Sequence, residues 1–196
     1  MTDVGSVRCF VALDLSAEVR AQVGSLLQDL SARHRGFRWV ASATLHLTLT
    51  FLGEVEENRL PSVEQALTRA AQRWRTRAGD SAGIGWSLEG LGSFPAGRPV
   101  RVIWVGIKAG QDLAVLQRAV EEELAAEGFP REARPFAPHL TLARSRSDGG
   151  EPAPWLAEFQ SRPYGHTLSR EMVLFRSTLA PGGAIYSPLA RVSLIP

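Results

Sequence analysis

The chain has 196 residues, of which 44% are hydrophobic and 21% are charged, and its formal net charge is +2. This length and balance are typical of one globular domain, or of two small lobes that share a core. No apolar run approaches the roughly 18 residues of a membrane helix, the first residues lack the features of a secretory signal and the single cysteine excludes an internal disulfide, so we expect a cytoplasmic protein without a membrane partner.

Arginine supplies 21 of the 22 basic residues. Its planar guanidinium fork matches the geometry of a phosphate group better than the lysine ammonium does. Clusters of arginine are compatible with a polyanionic partner, although a genomic codon bias would produce them equally well. Two clusters stand out, one made of Arg33, Arg35 and Arg38 and the other of Arg69, Arg73, Arg75 and Arg77.

The first half of the chain predicts three strands and two helices. The strands are RCFVALDL (8–15), FRWV (37–40) and HLTLTFLG (46–53), the last of which ends at Gly53. Ser16 is typical of a helix N-cap, and apolar residues follow it at helical spacing. A second helix is predicted from about Asn58 to Trp74.

The second half predicts five strands and one helix. The strands are IGWSLEGLGSF (84–94), RVIWVGIK (101–108), HLTLAR (139–144), MVLFRSTL (172–179) and AIYSPLARVSL (184–194). Gln111 to Glu127 has the clearest helical pattern, with Gly128 as its stop signal. Gly and Pro mark connecting segments at GSFPAGRP (92–99), SRSDGGEPAP (145–154) and APGG (180–183).

This mixture of about eight strands and three helices favours an α+β fold with antiparallel sheets. Parallel βαβ units would need long helices in strict alternation with the strands, and the sequence lacks them. Each half of the chain offers a helix and a strand with the spelling H-L-T-L, and the two copies are separated by close to half of the chain. We therefore expect two similar lobes, each contributing one strand to a central cleft.

Strand alternation predicts which side chains of the two copies enter that cleft. In the first copy, His46, Thr48 and Thr50 share one face and the leucines share the other. In the second copy, His139 and Thr141 share a face in the same way. The residue five positions after His139, Arg144, falls on the opposite face, so we expect it just beyond the end of the strand, where the chain can turn it back.

Two facing histidines can perform general acid–base catalysis in a single displacement. Histidine titrates near pH 6.5, so one ring can deprotonate a nucleophile while the other protonates a leaving group. The hydroxyls of Thr48 and Thr141 can donate to the oxygens of a phosphate held between the strands, and the Arg144 fork can clamp it.

Other catalytic arrangements find little support in the sequence. The repeated stretches lack the third ligand of a catalytic zinc site, and there is no Walker loop or complete dinucleotide motif. ATP use is therefore not indicated, and we expect no cofactor. We assign no role to His34, expected at a solvated helix end, or to His166, expected just before a strand.

The H-L-T-L pair resembles the 2H phosphoesterase superfamily. The segments RCFVALDLSAEVR, TLHLTLTFLGEV, RVIWVG, RPFAPHLTLAR and FRSTLAPGGAIYSPL resemble, in order, its bacterial and archaeal RNA 2′,3′-cyclic phosphodiesterase branch, formerly described as 2′-5′ RNA ligase. The resemblance spans nearly the whole chain. It implies one domain over residues 1–196, made of two intertwined lobes with antiparallel sheets related by a pseudo-two-fold axis, a central cleft and helices on the outer faces.

The resemblance also implies a reaction. Members of this branch hydrolyse an RNA terminal 2′,3′-cyclic phosphate to a 2′-phosphate and a 3′-hydroxyl without metal or ATP, and some join tRNA halves reversibly. The resemblance assigns His46 as proton donor, His139 as proton acceptor, and Thr48, Thr141 and Arg144 as phosphate-binding residues. It suggests that Phe10, an aromatic of the first strand, stacks on the terminal base. We expect a monomer that acts on RNA ends, tRNA fragments among them.

Three alternatives remain open. The substrate could be a small cyclic phosphate or a 2′-5′ linked oligonucleotide. The protein could bind RNA ends without hydrolysing them. A metal-dependent hydrolase is the third alternative.

Overall fold

The computed structural model describes residues 5–79, 81–96, 99–147, 150–181 and 183–196. The strands in this part of the chain are β1 (Ser6–Asp14), β2 (Phe37–Trp39), β3 (His46–Glu56), β4 (Ile84–Phe94), β5 (Val102–Ala109), β6 (His139–Ser145), β7 (Pro163–Ser169), β8 (Glu171–Ala180) and β9 (Gly183–Ser193). The helices are α1 (Ala17–Arg33), α2 (Leu60–Ala78) and α3 (Gln111–Ala126), with 3₁₀ turns at Ser42–Thr44, Glu57–Arg59 and Pro154–Phe159. Each of the three predicted connecting segments includes positions outside the described residues: 97 and 98, 148 and 149, and 182.

The strands form two antiparallel sheets, which confirms the predicted α+β class. The first sheet has the order β3-β1-β8-β9 and the second has the order β2-β6-β5-β4-β7. All of the strand pairs are antiparallel. Apart from β2, the two sheets have corresponding orders, in which β3, β1, β8 and β9 match β6, β5, β4 and β7. In each sheet the H-x-T strand pairs with an earlier strand, and a helix lies between the two in the chain.

The three helices form close to where their sequence patterns predict them. The Ser16 hydroxyl accepts from the Val19 N–H at 3.3 Å and caps α1. Pro61 lies in the first turn of α2, where its missing N–H costs no hydrogen bond. The α1 helix contacts β2 and β7 of the second sheet. The helices α2 and α3 pack on each other; α2 contacts β9 of the first sheet, and α3 contacts β3 of the first sheet and β4 of the second. No helix in the described residues is long and apolar enough to cross a membrane.

The strand β7 was not predicted, and His166 lies inside it rather than before a strand. Its inward residues include Thr167 and Ser169, both buried although polar. Each finds a partner, because Thr167 Oγ1 accepts from the Ser16 N–H at 3.3 Å and Ser169 Oγ accepts from the Trp86 indole at 2.9 Å. A strand that buries hydroxyls lacks the apolar alternation on which strand prediction depends.

Alternation along β1 separates the core from a second, smaller apolar surface. Cys9, Val11 and Leu13 belong to a large buried cluster that includes residues of both sheets and of all three helices. Phe10 and Ala12 point to the other face of the first sheet. There they form a small cluster with Val173 and Phe175, and Tyr186 packs against it. This second face lies toward the cleft described below.

Candidate active site

The two H-x-T strands meet across a cleft of about 420 Å³. β3 and β6 contact each other directly although they belong to different sheets. The lining includes all six site residues predicted from the sequence, which are His46, Thr48, His139, Thr141, Arg144 and Phe10. The structure therefore brings these residues to one place, and their individual roles stay predictions.

Both histidines hold the same orientation through the same contact. Nδ1 of His46 lies 2.7 Å from the carbonyl oxygen of Thr44, and Nδ1 of His139 lies 2.7 Å from that of Ala137. A carbonyl oxygen only accepts hydrogen bonds, so Nδ1 carries the proton in each ring. In the neutral form Nε2 then has a free lone pair, which can take a proton from a nucleophile, and in the charged form it can donate one.

The surroundings of His46 favour its neutral form. Burial lowers the pKa of His46 below its usual range, and the charges of Arg20 and His139 act in the same direction. The hydrogen bond to Thr44 and the carboxylate of Asp14 oppose this shift. Arg20 also fixes the approach to β3, because it donates to the carbonyls of Ser42, Ala43 and Leu45 and pairs with Asp14 at 3.3 Å.

The ring of Phe10 packs against the ring of His46. The two ring centroids are 4.6 Å apart, and the other side of Phe10 stacks on Phe175 at 5.3 Å. The edge of Tyr186 meets both Phe10 and His46. Only 2% of Phe10 is exposed, whereas stacking on a base requires an exposed ring face. The suggested base-stacking role does not fit this position, and Phe10 instead packs against the ring of His46.

His139 also has aromatic neighbours. The ring of Phe94 meets it edge-on at 5.1 Å between centroids, and Trp104 lies behind at 6.4 Å. Trp104 in turn lies over Gly92, where any side chain would collide with its indole. Each histidine is therefore held by one backbone carbonyl and by a small group of aromatic rings.

A β-bulge in β3 changes which side chains enter the cleft. Ala12 pairs with Thr48 and Val11 with Thr50, so Leu49 is an extra residue in the ladder. Thr50 consequently turns to the face of buried Val11, and the prediction that it shares a face with His46 is wrong. Phe51 takes its place in the cleft lining, with 64% of its surface exposed.

A second bulge at the corresponding position of β6 directs Arg144 into the cleft. Trp104 pairs with Thr141 and Ile103 with Ala143, which leaves Leu142 as the extra residue. The next pair, Val102 with Arg144, therefore faces the same way as Thr141. The prediction that Arg144 lies beyond the end of the strand is wrong, because β6 continues to Ser145 and the bulge corrects the alternation.

The two bulges make the lobes equivalent in register. His46, Thr48 and Phe51 lie opposite Asp14, Ala12 and Phe10, while His139, Thr141 and Arg144 lie opposite Gly106, Trp104 and Val102. Phe51 thus corresponds in position to Arg144, five residues after the histidine in each copy. One wall of the cleft presents an aromatic ring where the other presents a guanidinium.

Sequence reasoning missed several lining residues. Arg8, Phe51, Ser177 and Tyr186 line the cleft and come from four strands of the first sheet. Nothing in their local sequence marks them, because their positions depend on the pairing of β1, β3, β8 and β9. A separate cavity of about 510 Å³ between α2 and α3 contains none of the predicted site residues.

The groups that converge in the cleft are imidazoles, hydroxyls and guanidinium groups. Within the described ranges, no group of three or more His, Cys, Asp or Glu residues is arranged to hold a metal ion. The lining is thus rich in hydrogen-bond donors and in groups that transfer protons, which suits an anionic ligand.

Comparison with known sequences finds a matching family and several relatives. A model of the 2′-5′ RNA ligase superfamily matches residues 9–178. A protein of Archaeoglobus fulgidus named RNA 2′,3′-cyclic phosphodiesterase is 34% identical over 184 residues, which cover 93% of this chain and 98% of the relative. A protein of the same name from Thermotoga maritima is 31% identical and covers 93% of both chains.

Solved structures have the same architecture. A crystal structure of a Thermus thermophilus protein matches with a TM-score of 0.75 and 31% identity, over 95% of this chain and 97% of that one. Escherichia coli LigT complexed with 3′-AMP matches with a TM-score of 0.69 and 31% identity, over 96% and 98% of the two chains. The MHV ns2 PDE domain, at 15% identity and a TM-score of 0.54, has the same fold.

Proposed function

The chain belongs to the 2′-5′ RNA ligase superfamily, and from this membership we propose that it hydrolyses RNA ends that carry a 2′,3′-cyclic phosphate. The products are a 2′-phosphomonoester and a free 3′-hydroxyl. One observation carries the proposal: two H-x-T strands face each other across one cleft, and each histidine is held with Nε2 free for proton transfer. The names of the relatives support the same reaction.

The cyclic phosphate lies between the two strands in this proposal. Thr48 donates to it from one wall, while Thr141 and Arg144 donate from the other. The guanidinium is exposed enough to meet an incoming anion, and its fork can make two parallel hydrogen bonds to a phosphate. These donors stabilise the charge that develops on the non-bridging oxygens in the transition state.

The histidines divide the proton transfers between them. His139 removes a proton from a water molecule, which attacks phosphorus in line with the 3′-oxygen, and His46 protonates that oxygen as its bond to phosphorus breaks. The lowered pKa of His46 makes its charged form a stronger acid. The lowered pKa also reduces the fraction of His46 that is charged before the substrate binds. The negative charge of the bound phosphate raises the pKa of His46 again and so increases that fraction.

The terminal base needs an exposed surface for contact. Phe51 fits this requirement better than Phe10, because most of its surface is exposed and it lies in the cleft lining. We propose that Phe51 provides the apolar contact for the base, together with Tyr186, which packs against Phe10. Base contacts of this kind are tolerant of sequence.

A second candidate activity follows from the name of the matched family. A 2′-5′ RNA ligase would use the same two histidines in the same roles, with the 5′-hydroxyl of another RNA attacking phosphorus in place of water and the 3′-oxygen leaving with a proton. The proposed substrate, an RNA end, and the expected monomeric state and cytoplasmic location stay predictions.

Product analysis separates these possibilities. A short RNA with a 2′,3′-cyclic phosphate end is incubated with the protein in the presence of a chelator and without ATP, and the 2′- and 3′-phosphate products are resolved. The expected result is the 2′-phosphate alone. Activity that the chelator abolishes would instead indicate a metal-dependent hydrolase, and binding without any product would indicate an RNA-end binding protein. A 2′-5′ linked product formed from two RNA fragments would establish the ligase activity.

A further inference from the structure

We propose that Arg8 and Ser177 form a subsite for the phosphodiester that precedes the terminal nucleotide, so that the protein selects oligonucleotides over mononucleotides. The inference rests on the proposed function and extends it from the reacting phosphate to the next one along the RNA. It concerns a part of the cleft beyond the histidines and threonines of the two H-x-T motifs.

Strand alternation places Arg8 on the cleft side of the first sheet. Arg8, Phe10 and Ala12 share a face of β1, and Arg8 lies in the cleft lining. It is two residues from Phe10, a separation of about 7 Å along the strand. The Phe10 ring contacts the His46 ring. Arg8 therefore lies farther from the reaction centre than Phe10 does.

Ser177 joins Arg8 from the neighbouring strand β8. Cys9 pairs with Arg176 and Phe10 with Phe175, so the next position of β8 lies beside Arg8. Ser177 is itself paired with Tyr186 and lines the same cleft. A hydroxyl and a guanidinium therefore stand side by side, and both can donate to the same anion.

Neither group is engaged elsewhere in the described parts of the chain. Arg8 is exposed and makes no ion pair there, although Glu54 lies opposite it on β3. The Glu54 carboxylate accepts a hydrogen bond from the Ser6 hydroxyl at 3.4 Å. Arg176, in contrast, pairs with Glu57 at 3.2 Å, and alternation turns it away from the cleft.

The order of groups along the cleft suits two successive phosphates of one RNA strand. A single ribose separates the 2′,3′-cyclic phosphate of a terminal nucleotide from its 5′-phosphodiester, and Arg8 lines the same cleft as His46 from a position beyond Phe10 along β1. With Arg144 at the reacting phosphate, Arg8 remains for the phosphodiester on the 5′ side of the terminal nucleotide. A mononucleotide 2′,3′-cyclic phosphate has no phosphodiester at that position and gains nothing from the subsite.

The test compares two substrates with the same terminal base. One is adenosine 2′,3′-cyclic phosphate and the other is a trinucleotide that ends in the same group. The kcat/KM for each is measured with the wild-type protein, Arg8→Gln, Arg8→Lys and Ser177→Ala, at several salt concentrations. Arg118→Gln is the matched control, because Arg118 is also exposed and makes no ion pair in the described residues, but lies on α3 away from the cleft.

The expected result is a loss of selectivity and not a uniform loss of activity. In Arg8→Gln, the ratio of trinucleotide to mononucleotide kcat/KM falls about tenfold, and the salt dependence for the trinucleotide loses a slope of about 0.7, which corresponds to one phosphate contact on a single strand. Arg8→Lys retains part of the ratio, Ser177→Ala lowers it less, and Arg118→Gln keeps the wild-type ratio.

Two outcomes would overturn the inference. An equal loss of kcat/KM on both substrates would place Arg8 at the reacting phosphate, and unchanged kcat/KM values on both substrates would show that it contacts neither. Turnover of neither substrate by the wild-type protein would instead contradict the proposed function, so the two failures are distinguishable. Thermal unfolding of each variant confirms that the fold is intact.

Discussion

His46 and His139 each place Nδ1 against a carbonyl oxygen two residues earlier in the chain. Their further surroundings differ: His46 lies between Phe10, Tyr186 and the Asp14–Arg20 pair, whereas His139 has Phe94 and Trp104 beside it. The spelling H-L-T-L predicts the two rings and the two hydroxyls correctly as cleft residues. It could not predict the burial of Phe10, since that depends on the aromatic residues of β8 and β9.

The pKa of His46 provides a test at this scale. Because burial lowers it, the ring is expected to titrate below 6.5 in the ligand-free protein, as followed by nitrogen chemical shifts in NMR. Added inorganic phosphate is expected to raise the midpoint, since an anion favours the charged ring. As the pH rises above the midpoint, His46 loses the proton that it donates, so kcat/KM falls on the alkaline side.

Tyr186→Ala serves as the comparison for that titration. Removing this ring exposes His46 to water, and the midpoint moves up toward 6.5. A midpoint at or above 6.5 in the wild-type protein, unchanged by Tyr186→Ala, would contradict the assigned role of burial.

At the scale of strands, the two bulges decide the composition of the cleft. Simple alternation after His46 and His139 placed Thr50 inside and Arg144 outside, and the extra residues Leu49 and Leu142 reverse both placements. Both leucines are buried, so the sequence pattern of each strand remains apolar through its bulge. Nothing in that pattern distinguishes a bulge from a regular strand, and only the pairing with β1 and β5 reveals it.

Substitutions at neighbouring positions of β3 test the first bulge. Thr50→Val is expected to retain wild-type turnover of a cyclic-phosphate RNA, because Thr50 points away from the cleft. Phe51→Ala is expected to raise KM roughly tenfold or more, because an aromatic ring that contacts a base contributes on the order of 1–3 kcal/mol. Steady-state kinetics on a trinucleotide measures both. The reverse order, with Thr50 sensitive and Phe51 neutral, would show that β3 has no bulge at Leu49 in solution.

At the scale of the molecule, the repeated H-L-T-L stretch predicted the architecture better than the individual predicted helices and strands did. Two copies of H-L-T-L indicated two lobes around a cleft, and the corresponding strand orders confirm two related antiparallel sheets. The sequence did not reveal that α1 contacts the second sheet, α2 the first sheet and α3 both. It also concealed β7, whose buried hydroxyls are bonded to distant groups. Contacts between distant segments determine both features, and local patterns do not record them.

The four histidines of the chain allow the most direct test of the central claim. Each is replaced by alanine in turn, and the hydrolysis of one RNA with a 2′,3′-cyclic phosphate end is followed under identical conditions. His46→Ala and His139→Ala are each expected to lose at least about 10²-fold in kcat, the typical contribution of one proton transfer. His34→Ala and His166→Ala, which remove rings that do not line the cleft, are expected to match the wild-type rate. Near-wild-type turnover by either His46→Ala or His139→Ala would contradict the two-histidine mechanism.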